Sequence, residues 1–220
     1  MIDIVLATRN AHKVMEVQRI LDAICDDLNV LDLSAWPDAP EVVEDAPTFA
    51  GNALLKARAI AAHTGLPCMA DDSGICVDAL NGMPGIFSAR WSGAHGRDSQ
   101  NLQLLLDQLT DVPDSRRGAQ FVCAVALATP AGDERVVEGV VDGEVVREPR
   151  GVDGFGYDPI FRPFGFDRTT AELTAEEKDA ISHRGQALRA FVPVVMDLLA
   201  PAQGCGGNCQ CRAAADSAEV

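Results

Sequence analysis

Residues 2–6, Ile-Asp-Ile-Val-Leu, have strand character and lead into Ala7-Thr8. Val14, Val17, Ile20, Leu21 and Ile24 then recur at helical spacing, so the chain opens as strand, polar loop and helix. Asn10 stands where an N-cap is wanted. Residues 28–33 form a second apolar run, and residues 38–47, rich in proline and acid, read as an exposed loop. Thr48 caps a helix with Phe49, Leu54, Leu55 and Ile60 on its apolar face, and Gly65 ends it. Residues 67–70 read as a buried strand that ends at Asp71-Asp72, with residues 75–80 as its continuation. Residues 81–85, Asn-Gly-Met-Pro-Gly, are a tight turn.

The second half has a different rhythm. Asp98 is expected to cap a helix over 100–109 whose stripe is Leu102, Leu105, Leu106 and Leu109. Residues 119–128 and 134–146 are strand-rich runs joined by Pro-Ala-Gly-Asp, which predicts a hairpin. Gly139 and Asp142-Gly143 predict a bend or second turn within its second arm. Residues 151–159 form a glycine-rich loop holding the only tyrosine, Tyr157. Thr174 and Glu177 have capping-box spacing, and a last helix opens at Ser182-His183-Arg184-Gly185, with Pro193 expected to kink or break it. Strand-helix alternation followed by an antiparallel half predicts an α/β fold: a mixed sheet with helices packed on it. Periodicity stops near residue 200. This divides the chain into one domain over 1–200 and a flexible tail over 201–220.

The net charge of −15 argues against a general nucleic-acid binder, whose footprint is basic, but leaves room for a nucleotide enzyme with a local basic cleft and a metal. No apolar run reaches the roughly 20 residues of a membrane helix. With a strand beginning at Met1-Ile2, no membrane association and a cytoplasmic setting are the expectation. Only three of the 18 basic residues are lysine: Lys13, Lys56 and Lys178. Cys25, Cys68, Cys76 and Cys123 lie in apolar segments and read as core thiols. Cys205, Cys209 and Cys211 lie in the tail, with no fourth metal ligand near them.

Candidate chemistry centres on Ala70-Asp71-Asp72-Ser73-Gly74. Adjacent carboxylates repel and call for a positive partner. Mg2+, which takes one or two carboxylates and completes its shell with water and phosphate oxygens, is the simplest. The same residues are good turn composition. Thr8, Asn10 and Lys13 at a helix start have a phosphate-binding composition without the glycine pattern of a Walker loop. Phe155 and Tyr157 are placed to stack on or flank a base, and His183 and Arg184 to meet a polar ligand.

In order along the chain, Thr8-Arg9-Asn10-Ala11-His12-Lys13, Thr48-Phe49-Ala50-Gly51-Asn52-Ala53 with Lys56, the Asp71-Asp72 stretch, Pro84-Gly85-Ile86-Phe87-Ser88-Ala89-Arg90, Gly154-Phe155-Gly156-Tyr157-Asp158-Pro159, and Leu173 through Lys178 to Ser182-His183-Arg184-Gly185 resemble the inosine/xanthosine triphosphate pyrophosphatase family over residues 2–199. All three lysines fall inside these motifs. The resemblance implies a three-layer α/β arrangement around a long mixed sheet, with two lobes and a cleft between them. It implies Mg2+-dependent hydrolysis of deaminated purine nucleoside triphosphates (dITP, ITP, dXTP, XTP) to monophosphate and pyrophosphate, by a homodimer. By the same resemblance Asp72 is general base and metal ligand, and Asp71 supports the site. Glu44 is the second metal carboxylate, with Glu41 and Asp45 as neighbouring alternatives. Residues Thr8 to Lys13 (Arg9, Ala11 and His12 included), Lys56 and Ser73 hold the phosphates. Phe155, Gly156, Tyr157, Asp158, Lys178, His183 and Arg184 form the base and sugar pocket. Arg9 stands where many relatives have glycine, and the cysteine tail lies outside the family pattern. A nucleotide binder without turnover and a pyrophosphatase with another base preference stay open as alternatives.

Overall fold

The computed structural model describes residues 1–199, so the tail with Cys205, Cys209 and Cys211 lies outside the described residues. Seven strands form one sheet in the order β2-β1-β3-β5-β6-β7, with β4 beside β3. They are β1 (Ile2–Leu6), β2 (Leu28–Leu31), β3 (Cys68–Val77), β4 (Met83–Pro84), β5 (Gly118–Ala128), β6 (Glu134–Val145) and β7 (Phe161–Pro163). β1 runs parallel to β2 and β3, and the remaining pairs are antiparallel. Five α-helices complete it: α1 (Ala11–Ile24), α2 (Phe49–Thr64), α3 (Asp98–Gln108), α4 (Ala175–Ile181) and α5 (His183–Leu199).

The two sheet faces follow from the period of two along each strand. Ile4, Leu6 and Met69 point toward α1 and α5 and pack with Val17, Ile20, Leu21, Leu188 and Phe191. Val5, Cys68 and Ala70 point the other way, onto Ala53, Ala57, Ile60 and Ala61 of α2. A third cluster joins the far ends of β3 and β5 to α3, Tyr157, Ile160 and Phe161. This is the mixed, three-layer α/β fold the sequence predicts.

The edge of β3 explains where a ligand fits. β1 ends opposite Met69, and β4 pairs only with Cys76 and Val77. Residues 70–75 therefore have no strand on that side, although β5 pairs them along the other. Ligands of open α/β sheets bind outside the carboxyl ends of strands, where neighbouring connections diverge. Here the chain leaving β1 turns away into α1 and opens a gap beside Asp71-Asp72.

Several expectations need correction. The carboxylate pair lies mid-strand, because β3 runs unbroken from Cys68 to Val77. The second strand stops at Leu31, and Leu33–Ala35 is a 3-10 turn. Asp98 makes no capping bond to α3; its carboxylate accepts instead from the Gly156 N–H at 3.3 Å. β6 passes through Gly139 and Gly143 without a turn. A Cβ on Gly139 would fall on the His183 carbonyl oxygen and 2.6 Å from the Ala187 nitrogen, so this glycine lets α5 cross the sheet at contact distance. α5 continues past Pro193 to Leu199 without a break. Of the four core thiols, Cys68 and Cys123 are buried, and Cys25 and Cys76 are partly exposed; all four are free. Burial pushes both the Cys68 and the Cys123 thiol up to about 12.

Gly139→Ala should lower stability by about 1–3 kcal/mol, the usual range for overpacking. It should also reduce activity, because the start of α5 must move. Urea unfolding midpoints check the first, and an unchanged midpoint would show that α5 can shift without strain.

Candidate active site

Alternation along β3 sends the two carboxylates to opposite faces. Asp71 follows Met69 toward α1 and α5, whereas Asp72 follows Ala70 toward α2. Both are buried, and their surroundings differ.

Asp72 sits against α2 and the acidic loop. Its Oδ2 accepts from Asn52 Nδ2 at 3.0 Å, and its Oδ1 from the Ser73 N–H at 3.0 Å. Lys56 Nζ lies 3.9 Å from Oδ1, but its shorter bonds go to Glu44 Oε1 and the Asp71 carbonyl, both at 2.7 Å. Arg90 donates to the Glu44 carbonyl at 3.2 Å, and its guanidinium is 3.7 Å from the Glu44 carboxylate. Burial raises the Asp72 pKa and the Glu44 charge adds to this, while Lys56 and Lys13 only partly oppose it. Burial would raise Glu44 too, but Lys56, Lys13 and Arg90 together outweigh it and the pKa falls. Asp72 is thus the less compensated of the two carboxylates.

Asp71 is embedded in cations. Its Oδ2 contacts Lys13 Nζ at 3.0 Å and Arg184 Nη2 at 3.0 Å. Arg184 is almost wholly buried, donates also to Ser73 Oγ at 2.8 Å, and pairs with the Glu16 carboxylate. Lys178 Nζ joins Glu16 at 3.2 Å and Asp158 at 2.8 Å. Burial acts to raise the Asp71 pKa, yet Lys13 and Arg184 overcome it and hold the carboxyl well below its usual range. Glu16 is lowered in the same way, with Arg184 and Lys178 overcoming burial. One chain of ion pairs therefore runs from α1 through β3 and α5 to α4.

A cavity of about 830 Å³ opens over the gap in the sheet, within the size range of small-molecule sites. Thr8, Arg9, Asn10, Lys13, Glu44, Lys56, Asp72, Ser73, Phe155, Gly156, Tyr157, Asp158, Lys178, His183 and Arg184 all line it. Asn10 caps α1 through the N–H groups of His12 and Lys13. Arg9 is drawn to the Ala39 carbonyl at 2.7 Å, so its added charge ties the loop before α1 to the start of the acidic loop. Glu41 lines the cavity as well, whereas Asp45 does not. Ala11 and His12 are not cavity-lining; His12 stacks on Phe155 with ring centroids 5.6 Å apart. The Phe155 ring also faces Lys178 Nζ at 5.1 Å, which fits an aromatic stacking platform.

Two aromatic expectations part ways. Tyr157 is a core anchor whose hydroxyl donates to the Ser88 carbonyl at 2.9 Å. His183 is buried and stacks on Phe121 at 4.8 Å. Asp158 holds its own loop, accepting from the Phe155 N–H, Lys178 and the Thr170 hydroxyl. Among the buried polar residues that sequence reasoning passed over are Glu16, Asn52 and Ser88. Glu16 had a signal, an acid on the inward side of α1 one turn after Lys13. Asn52 and Ser88 sat inside quoted motifs without a role. A Cβ on Gly74 would lie 2.5 Å from the Gly85 carbonyl, which shows how closely the Ser88 turn packs on β3.

A sheet split beside two buried carboxylates, with lysines, an N-capped helix start and an aromatic platform around one cavity, defines an α/β protein built to hold a phosphorylated, ring-bearing ligand. The chain belongs to the Ham1 family, whose model matches residues 4–194. It is 59% identical over 196 residues to a dITP/XTP pyrophosphatase of Streptomyces coelicolor, covering 89% of this chain and 98% of that one. The crystal structure of a nucleoside-triphosphatase, dITP/XTP pyrophosphatase, from Mycobacterium abscessus is 55% identical, with a TM-score of 0.72 over 87% of this chain and 100% of the other. A Ham1 protein from Coxiella burnetii is 42% identical, with a TM-score of 0.80 over 90% of this chain and 100% of that one.

Burial, reinforced by Arg184 and Lys178, holds the His183 pKa well below 6.5, so the folded ring stays neutral where the unfolded one takes a proton. The unfolded state then binds more protons, and stability falls as pH drops below about 6.5, by up to about 1.4 kcal/mol per pH unit. Glu16 and Asp71, whose pKa values are lowered, add their losses only below about pH 4.5. Urea unfolding between pH 8 and 5 should show this slope in the wild type and lose it in His183→Gln, where only the opposite, smaller contribution of the raised Asp72 carboxyl remains. Equal slopes would place the proton elsewhere.

Proposed function

We propose that this chain hydrolyses dITP, ITP, dXTP and XTP to the nucleoside monophosphate and pyrophosphate, removing deaminated purines from the nucleotide pool. The observation that carries the reading is the division of the carboxylate pair. One member is neutralised by Lys13 and Arg184, and the other is held under-compensated at the cavity wall. Identity above 50% to proteins named dITP/XTP pyrophosphatase supports it.

Mg2+ suits this donor set. Among the described residues no group of three or more His, Cys, Asp or Glu side chains is placed to hold a metal. Mg2+ does not require one, since two carboxylates with water and phosphate oxygens suffice. Asp72 and Glu44 would hold it, and the raised Asp72 pKa marks the carboxylate with most to gain from a cation. When bound, the ion neutralises phosphate charge and orients the triphosphate.

The chain's own groups do the rest. Thr8, Asn10, Lys13, Lys56 and Ser73 line the phosphate side, where the capped start of α1 adds favourable N–H groups. Asp72 takes the proton of the attacking water while the bond between the α- and β-phosphates breaks and pyrophosphate leaves. Phe155 supplies a face for the purine, and Lys178 and Arg184 supply donors for its 6-oxo group. Adenine presents an amino donor there and leaves both sides unpaired. Such arrangements discriminate by roughly 10⁴–10⁵. A homodimer in the cytoplasm completes the proposal by resemblance, and light scattering of the purified chain tests the dimer.

The panel ITP, XTP, dITP, ATP and GTP with Mg2+ should give pyrophosphate from the first three and little turnover of the last two. Orthophosphate release, or ATP turned over as fast, would overturn the reading, and binding without product would make the chain a nucleotide binder. In a second test Asp72→Asn should fold and lose roughly 10²–10⁴-fold in kcat, the range for a general base. Asp71→Asn, which strands Arg184 and Lys13, should instead lose about 3–5 kcal/mol of stability. Similar kcat and stability losses in the two variants would refute this division.

A further inference from the structure

One buried amide touches both halves of the proposed cation site. Asn52 is wholly buried in the first turns of α2. Its Nδ2 donates to Asp72 Oδ2, and its Oδ1 accepts from the Ala46 N–H, each at 3.0 Å. The amide orientation is forced, because a backbone N–H needs the oxygen and a carboxylate needs the nitrogen. Ala46 lies two residues after Glu44, so this bond fixes the end of the acidic loop. A Cβ on Gly51 would lie 2.6 Å from the Ala46 Cβ, and the loop packs directly on α2 at that point. Lys56, four residues after Asn52 on the same helix, holds the Glu44 carboxylate at 2.7 Å.

We propose that Asn52 is a positioning residue that sets the separation and orientation of the Asp72 and Glu44 carboxylates, and through them the affinity for a divalent cation and the rate of the chemical step. Without the amide, Asp72 keeps the Ser73 N–H on Oδ1 but loses the bond on Oδ2 that fixes the plane of the carboxylate. The loop at Ala46 also loses its tie to α2. Partners behind a metal ligand typically matter by 10–100-fold in metal affinity or activity. The inference rests on the proposed hydrolase reading.

The test uses the full chain and Mn2+ alone as a probe, its free concentration read by electron paramagnetic resonance. Loss of Mn2+ binding in Asp72→Asn locates the site. Asn52→Leu, close in volume, should weaken Mn2+ binding by about 10-fold or more and lower kcat about 10–100-fold, with KM moving less than about threefold. Asn52→Ser serves if the leucine variant does not fold. Thr48→Ala, which removes the cap of the same helix, should lower the melting temperature yet leave kcat and Mn2+ binding at wild-type values. A folded Asn52 variant with both quantities within twofold of wild type would overturn the proposal. So would Thr48→Ala reproducing the same losses, since that would reduce Asn52 to a stabiliser of α2. A wild-type chain that releases no pyrophosphate from dITP or XTP would defeat the hydrolase reading instead, and the Mn2+ comparison would still decide the role of Asn52.

Discussion

The buried guanidinium of Arg184 is the constraint on which this architecture depends. It comes from the first turn of α5 and is held between Glu16 of α1 and Asp71 of β3. An arginine this deeply buried is tolerable only with paired charges and filled hydrogen bonds, and removing one partner of such a pair typically costs about 3–5 kcal/mol. The demand extends outward. Glu16 must face inward on α1, and α5 must approach the sheet closely enough for Arg184 to reach β3. That approach is why β6 carries glycine at position 139. Lys178 then completes Glu16 and brings Asp158 and its glycine-rich loop into the same network.

This network also sets the character of the cavity. The chain is strongly acidic, with a net charge of −15, yet every carboxylate in the Arg184 network faces a lysine or arginine. A polyanion entering the cleft meets cations already in place rather than the average field of the surface. Their internal carboxylate partners keep them ordered and oriented beforehand, which limits the reorganisation needed on binding.

Much of this could be read from residue order. The 3.6 period of α1, the Asn10, Thr48 and Thr174 caps, Gly65 and the 118–145 hairpin all depend on neighbours in sequence, and they stand where local chemistry puts them. Motif order singled out Thr8, Arg9, Asn10, Lys13, Lys56, Asp72 and Lys178, all of which line the cavity. What escaped was set by distant partners. Glycines 139 and 143 read as turns because local rules know only their backbone freedom; the backbone of α5 over the first, and of β7 over the second, is invisible along the chain. The structural partners of Tyr157 and Asp158, the Ser88 carbonyl and Lys178, are likewise invisible from their neighbours in sequence. The mid-strand position of Asp71-Asp72 was missed for a related reason. Two adjacent acids oppose strand propensity, and only cations brought from α1, α2 and α5 make the strand tolerable there.

That last point accounts for adjacency itself. Two acids on one face would share partners and suppress each other's ionisation. On a strand, consecutive residues face opposite ways, so the backbone separates two carboxylates that are neighbours in sequence. The face toward α1 and α5 brings Lys13 and Arg184 within 3.0 Å of Asp71 and spends its charge on the fold. The face toward α2 gives Asp72 the Asn52 amide and the Ser73 N–H, while the nearest lysine is engaged with Glu44. Burial without full compensation leaves Asp72 with affinity for whatever positive species enters the cleft, a proton or a metal ion. Asp71 has no such freedom, since giving up its charge would strand the buried Arg184 and the half-buried Lys13. The different surroundings of the two aspartates are thus a consequence of strand geometry.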